Sequence, residues 1–290
     1  MEYNIKNEFL SVTVSTKGAE LMSIKNLKND TEYLWQGDAK YWGSRASNLF
    51  PICGRLIEKE YTYRGKSYHL NTHGFARASE FELLQKGENT LSFVLRANDE
   101  TRANYPFEFE YVVTYVLTDN TIKTIYSAKN LGKNKMYCAF GGHPGFNVPL
   151  GNDGVFEDYY LEFKQDTTQT EMLFNECFFT DETAPFKTEN KRLYLRHDFF
   201  DNDAHFVIDS GFSCTLKSDK SDKSVIVTYP QMKYLGIWHA VKMDAPYVCI
   251  EPWTSVPSYF GKVDDIETKR DMYALEANEE ASVSFDITII

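Results

Sequence analysis

Residues 107–117, FEFEYVVTYVL, alternate large apolar side chains with polar or smaller ones. A period of two is the signature of a strand with one buried face, because successive side chains leave the backbone on opposite sides. LTDNT (117–121) follows at once, and its Asp and Asn suit a tight turn. The same alternation returns in SVTVS (11–15), LSFVLRA (91–97) and ASVSFDITII (281–290). Turn-forming runs separate the strand-like segments: TKG (16–18), YRGKSY (63–68), QKGENT (85–90), NLGKN (130–134) and SDKSDK (218–223). Tyr (19) and Phe (21) are abundant, which favours strands that pack on a broad apolar surface. Helical spacing is scarce, with short helices expected only near 171–180 and 264–270. The pattern predicts an all-β chain folded as a large antiparallel β-sandwich with few short helices. No repeat, Pro-rich linker or composition break divides the chain, so a single domain over 1–290 is expected. KSDKSDKS (217–224) reads as a solvated hairpin tip.

Charge narrows the partners. Lys and Arg total 31 against 42 for Asp and Glu, a net charge of -11. Such a surface repels nucleic acid and anionic lipid, so neither is expected as a partner. No run approaches the roughly 18 apolar residues that span a bilayer. The N-terminal MEYNIKNEFLSVTVS lacks a basic region followed by an apolar run, and a cytoplasmic protein is expected. The five cysteines, Cys53, Cys138, Cys177, Cys214 and Cys249, are widely spaced and odd in number. They read as free thiols rather than as disulfides or a structural zinc site.

Six histidines are candidates for proton chemistry. His69, His197, His205 and His239 sit in strand-like or polar contexts that suit structural roles. His73 in NTHGFAR (71–77) and His143 in GGHPGFN (141–147) are flanked by glycines, which leave room for a ligand beside the imidazole. Glu251 in CIEPW (249–253) ends an apolar strand-like run. A carboxyl buried there is costly unless paired or functional, and burial would raise its pKa toward the range of a general base. Trp253 offers an indole face on which a sugar ring can rest. Arg45, Arg55 and Arg77 cluster in sequence and suit bidentate hydrogen bonding of hydroxyls, carboxylates or phosphates. Dinucleotide, P-loop, nucleophile-elbow and HExxH patterns are absent from the sequence. His73, His143 and Glu251 would supply two imidazoles and a carboxylate to a metal, a possibility that spacing leaves open.

Taken together, KGAELMSIKN (17–26), NLFPICGRLIEKEYTYRGKSYHL (48–70), NTHGFAR, NYPFEFEYVVTYVL (104–117), GGHPGFN, YVCIEPWTS (247–255) and LEANEEASVSFDITI (275–289) resemble the aldose 1-epimerase, or galactose mutarotase-like, superfamily. The order and spacing of these segments carry the resemblance over nearly the whole chain, and it is nearest to the bacterial branch described as galactose mutarotase-related. It implies the galactose mutarotase-like supersandwich, with a sugar site in an open cleft. It also implies a cofactor-independent, metal-free mutarotase for a small monosaccharide. Glu251 falls at the family's general base and His143 at its general acid. His73 falls at the second, substrate-binding histidine, and Arg55 at the substrate-binding arginine. Asp203 in FFDNDAHF is the candidate for the family's hydroxyl-binding aspartate. HGFAR also resembles the hexose-6-phosphate mutarotase branch, in which Arg77 or Arg45 would grip a phosphate. A non-catalytic sugar-binding protein is the alternative of another class. A polysaccharide lyase would need a longer aromatic groove. Either a monomer or a homodimer is expected.

Overall fold

The alternating stretch forms half of a long central hairpin. Phe109–Thr118 pairs antiparallel with Thr121–Asn130, with Thr118 opposite Thr121 and Asp119 in the turn at φ 49°. Tyr111, Val113, Tyr115 and Leu117 on one strand, and Ile122, Thr124, Tyr126 and Ala128 on the other, are buried. Their neighbours, Val112, Thr114 and Val116 on the first strand and Lys123, Ile125 and Ser127 on the second, alternate to the less buried face, as the period of two requires. The computed structural model describes residues 1–164, 169–208 and 210–290.

Among the described residues this hairpin lies inside a nine-stranded sheet. Thr121–Asn130 is flanked on its other side by Glu280–Ile289, which in turn pairs with Ser224–Thr228. A seven-stranded sheet packs against it, in the order Phe178–Pro185, Thr170–Asn175, His205–Ile208, Tyr234–Trp238, Tyr247–Trp253, Gly141–Asn147 and Ala46–Leu49. The fold is therefore a large antiparallel β-sandwich. Its one parallel strand pair among the described elements joins Asp264–Asp265 to Glu60–Tyr63 in a small side sheet. One apolar core runs between the two large sheets and joins Val248 and Ile250 to Tyr126, Val113 and Phe285. The sheets approach closely at Gly142, where an added Cβ would sit 2.8 Å from the Phe285 ring.

Helix is sparse, as expected, but it is not where the spacing suggested. The α-helix Asp99–Asn104 is capped at Asn98, whose side chain accepts from the Thr101 amide. Residues 171–180 are instead the hairpin Thr170–Asn175 and Phe178–Pro185, because Glu176 and Cys177 both turn at positive φ (51° and 68°). Residues 264–270 hold the short strand Asp264–Asp265 and turns, fixed by the Lys269–Asp264 ion pair at 2.9 Å. The 217–224 run is a hairpin tip, but not a loose one: Lys220 pairs with Asp158, and Lys223 with Asp153, both at 2.6 Å. The five cysteines are free, and Cys177 alone is not buried. Among the described residues no helix is long and apolar enough to cross a membrane.

Candidate active site

The outer face of the seven-stranded sheet carries the site, and strand register assembles it. On Tyr247–Trp253 the even residues Val248 and Ile250 enter the central core, which leaves Cys249, Glu251 and Trp253 on the other face. Glu251 is opposite Gly236 on one neighbouring strand, and Gly236 is opposite Phe206 on the next. On the other side, Gly141 is opposite Trp253 and Gly145 opposite Cys249, so His143 falls across from Glu251. His143 in turn faces Ser47. Phe206, Gly236, Glu251, His143 and Ser47 thus form one transverse row. Gly236 provides the space beside the carboxyl, since a Cβ there would lie 3.2 Å from both Glu251 Cβ and the Phe206 ring.

His143 Nε2 lies 3.3 Å from Glu251 Oε2 at the floor of a cavity of about 320 Å³. The residues are 8% and 2% exposed. Burial pushes the Glu251 carboxyl well above the usual carboxylate range, and the Asp203 charge adds to this. Burial also lowers His143, to about 3, and the Arg77 charge acts in the same direction. Both shifts disfavour separated charges. Nδ1 of His143 and Oε1 of Glu251 are buried and have no hydrogen-bond partner among the described residues.

His73 enters from the segment after Lys66–His69. It adopts φ 67°, and Gly74 follows at φ 73°. Gly74 is required there, because a Cβ would come within 2.3 Å of the Phe50 carbonyl oxygen. The Gly54 amide donates to His73 Nδ1 at 3.1 Å, and the His73 amide donates to the Gly54 carbonyl at 2.8 Å. Accepting at Nδ1 places the ring proton on Nε2, so His73 is fixed as a neutral donor. Burial lowers its pKa, reinforced by His143, Arg77 and Arg55. Its ring centroid is 5.4 Å from that of His143.

Arg55 and Asp203 meet at the rim, 3.0 Å apart, although they are 148 residues apart in sequence. The Cys177 thiol also donates to Asp203 at 3.0 Å. Arg77 lines the same cavity and remains open to solvent. No described residue hydrogen-bonds or ion-pairs with its side chain. Its pKa is lowered by burial and raised by the Glu20 carboxylate. Glu20 itself accepts from the Arg45 and Ala46 amides.

The sequence candidates Glu251, His143, His73, Arg55, Arg77, Trp253 and Asp203 all line this one cavity. Arg45 does not; its guanidinium bonds the Met22 carbonyl and Gln36, which corrects its expected part in a phosphate grip. Trp253 also differs from expectation. It is 2% exposed and packed by Phe206 and His73, so it presents little open indole face. Trp42, stacked on His143 at 4.8 Å, and Trp238, edge-on to it at 5.6 Å, offer the accessible indole surface. Sequence reading missed both, together with Phe174, Cys177 and Phe206. The signal for Trp238 was present, since alternation from Tyr234 through Gly236 places it on the site face. Nothing local marked Trp42, which lies outside the strands. For a metal, the donor atoms gathered within 4.8 Å are those of His143, Cys249 and Glu251, not the expected set containing His73.

The site is thus a buried histidine–carboxyl contact on the outer face of a large β-sandwich, at the floor of a cavity of about 320 Å³. The chain matches the aldose 1-epimerase family over residues 1–288 and belongs to it. It is 34% identical to the LacX protein of Lactococcus lactis subsp. lactis over 301 aligned residues, covering all of both chains. It is also similar to a galactose mutarotase-related enzyme of Lactobacillus acidophilus, with a TM-score of 0.96, 34% identity, and coverage of 100% of this chain and 97% of that one. A galactose mutarotase-like protein of Lactobacillus casei superposes with a TM-score of 0.95 at 30% identity, with both chains fully covered. Family membership supports a carbohydrate epimerase or mutarotase role with a monosaccharide substrate.

Proposed function

We propose that this protein is a cofactor-independent mutarotase that interconverts the α and β anomers of an aldose. The observation that carries the reading is the buried His143–Glu251 contact at the cavity floor. Anomer exchange needs one group to take the proton of the anomeric hydroxyl and another to protonate the ring oxygen. Both oxygens are bonded to the same carbon, so acid and base must stand only a few ångströms apart.

A pair sharing one proton meets that demand. Sugar hydroxyls that donate to the Glu251 carboxylate favour its charged form, so the shared proton moves to His143. Glu251 then takes the proton of the anomeric hydroxyl, and His143 gives its proton to the ring oxygen. The ring carbon–oxygen bond breaks as the aldehyde carbonyl forms. The protein is left with protonated Glu251 and neutral His143, the state that burial favours. After rotation about the bond to the anomeric carbon, the steps reverse on the other face of the aldehyde. His73 donates from Nε2 to a substrate oxygen. Arg55 and Asp203 bind hydroxyls at the rim, and Trp42 and Trp238 pack against ring C–H groups. A cavity of about 320 Å³ suits one monosaccharide rather than a polymer groove.

One observation favours a narrower substrate class. Arg77 brings to the cavity of an acidic protein a guanidinium that no described residue hydrogen-bonds or ion-pairs, and the nearby Glu20 carboxylate is itself held by the Arg45 and Ala46 amides. An aldose carrying a phosphate would supply a direct partner. Two-dimensional NMR exchange between anomer signals tests the reading, using glucose, galactose, xylose and hexoses phosphorylated at the primary hydroxyl. Exchange well above the spontaneous rate for at least one sugar is expected. Sugar-induced quenching of Trp fluorescence without exchange would replace the enzyme with a binding protein. If phosphorylated sugars are preferred, Arg77→Ala lowers their kcat/KM by about tenfold or more relative to the unphosphorylated sugar, and Arg77→Lys restores part of it. An unchanged ratio in Arg77→Ala removes Arg77 from phosphate recognition.

A further inference from the structure

Cys249 is a buried thiol that the proposed chemistry does not use. It precedes Glu251 by two residues on the same strand and therefore shares its face. It is diagonal to His143 across the strand pair, because its direct partner is Gly145. Glycine at that position keeps the thiol from being crowded: a Cβ there would lie 3.3 Å from Sγ. One donor atom from each of His143, Cys249 and Glu251 lies within 4.8 Å of the others, and all three residues are buried. Independently, His143 Nδ1 and Glu251 Oε1 are buried polar atoms with no described partner.

Imidazole, thiolate and carboxylate together are the donor set of zinc-like ions. With ordinary bond lengths a tetrahedral zinc ion holds such donors about 3.3–3.7 Å apart. His143 Nε2 and Glu251 Oε2 already stand at 3.3 Å. Closing the remainder takes side-chain adjustment of about an ångström, without any change in strand register. The charge balance also fits. A divalent ion held by a thiolate, a carboxylate and a neutral imidazole makes a buried cluster of no net charge, which limits the desolvation penalty. The fourth coordination position opens on the cavity and takes water or a hydroxyl.

We propose that His143, Cys249 and Glu251 form a binding site for a thiophilic divalent cation of the zinc class, which blocks the sugar chemistry by occupying its acid–base pair. The site is inhibitory, because the ion ties up both groups that must exchange protons with the sugar. Hard cations such as magnesium lack affinity for the thiolate and are not expected to bind.

The test titrates the full-length protein with Cd²⁺ and Zn²⁺ and follows two signals. The first is the ultraviolet cadmium–thiolate charge-transfer band, which does not depend on any sugar activity. The second is anomer exchange. Cd²⁺ is expected to raise the band and both ions to inhibit exchange, with reversal by a chelator and no effect of Mg²⁺. Cys249→Ala and Cys249→Ser should lose the band and weaken inhibition by about tenfold or more. Cys177→Ser, at the partly buried cavity rim, should retain the band. A band that persists in both Cys249 variants, or that disappears only in Cys177→Ser, overturns the proposal. So does inhibition of equal strength in wild type and both Cys249 variants. If anomer exchange is absent from the outset, the band alone decides the metal site, and the mutarotase reading fails separately.

Discussion

Glu251→Gln is expected to fold and to lose roughly 10²–10⁴ of the anomer-exchange rate, the usual contribution of a positioned proton-transfer group. Gln matches Glu in size and shape and fits the space beside Gly236, where Glu251 Cβ would lie 3.2 Å from an added methyl. The substitution removes a buried ionisable group whose protonated form is the favoured one. Replacing a neutral carboxyl by a neutral amide leaves the packing and local charge nearly unchanged. Thermal unfolding should therefore shift little, and titration of Trp fluorescence should still report sugar binding. A rate close to wild type would show that another group takes the anomeric proton, and the mechanism would have to be reassigned.

The second large effect is at His143. His143→Asn is expected to cost a similar roughly 10²–10⁴ in rate, because asparagine can donate a hydrogen bond to the ring oxygen but cannot deliver a proton. The more discriminating measurement is the double variant with Glu251→Gln. Two groups that exchange one proton act as a unit, and losses within such a unit do not add. The double variant should be only slightly slower than the slower single one. Losses that multiply in full would mean that the residues act independently, despite their 3.3 Å contact.

Much of this was legible in the chain, for physical reasons that can be traced to particular residues. Alternation at 107–117 shows a strand directly, since a period of two has no helical equivalent. Glu251 stood out because a carboxyl within YVCIEPW must be either paired or functional to be buried there. His73 and His143 stood out through their glycines, and one of these, Gly74, is required by the close approach of Phe50. The hairpin at 170–185 was misread because EMLFNECFFT is apolar enough to suit a short helix. Only the left-handed pair Glu176 and Cys177 decides otherwise, and neither residue type announces that conformation. Trp253 lines the cavity, but the sequence did not show that it is covered. Its burial depends on Phe206 and His73, which arrive from distant strands and turns. The grouping of Cys249 with His143 depends on strand register, which single-residue context does not reveal.

The transverse row from Phe206 to Ser47 has a further consequence for how such a protein can diversify. His143 and Glu251 sit on adjacent interior strands of a hydrogen-bonded sheet, among the segments that open last under native conditions. Arg77, Cys177 and the Arg55–Asp203 contact are instead carried by turns, a hairpin tip and connecting segments at the rim. In the proposed mechanism the reactive floor and the selective rim therefore belong to parts of the molecule with different local stability. Rim loops can be lengthened, shortened or recharged to admit a different sugar while the proton-transferring pair keeps its spacing. Exchange of substrate preference among relatives then needs no rebuilding of the chemistry, only resculpting of the border around it.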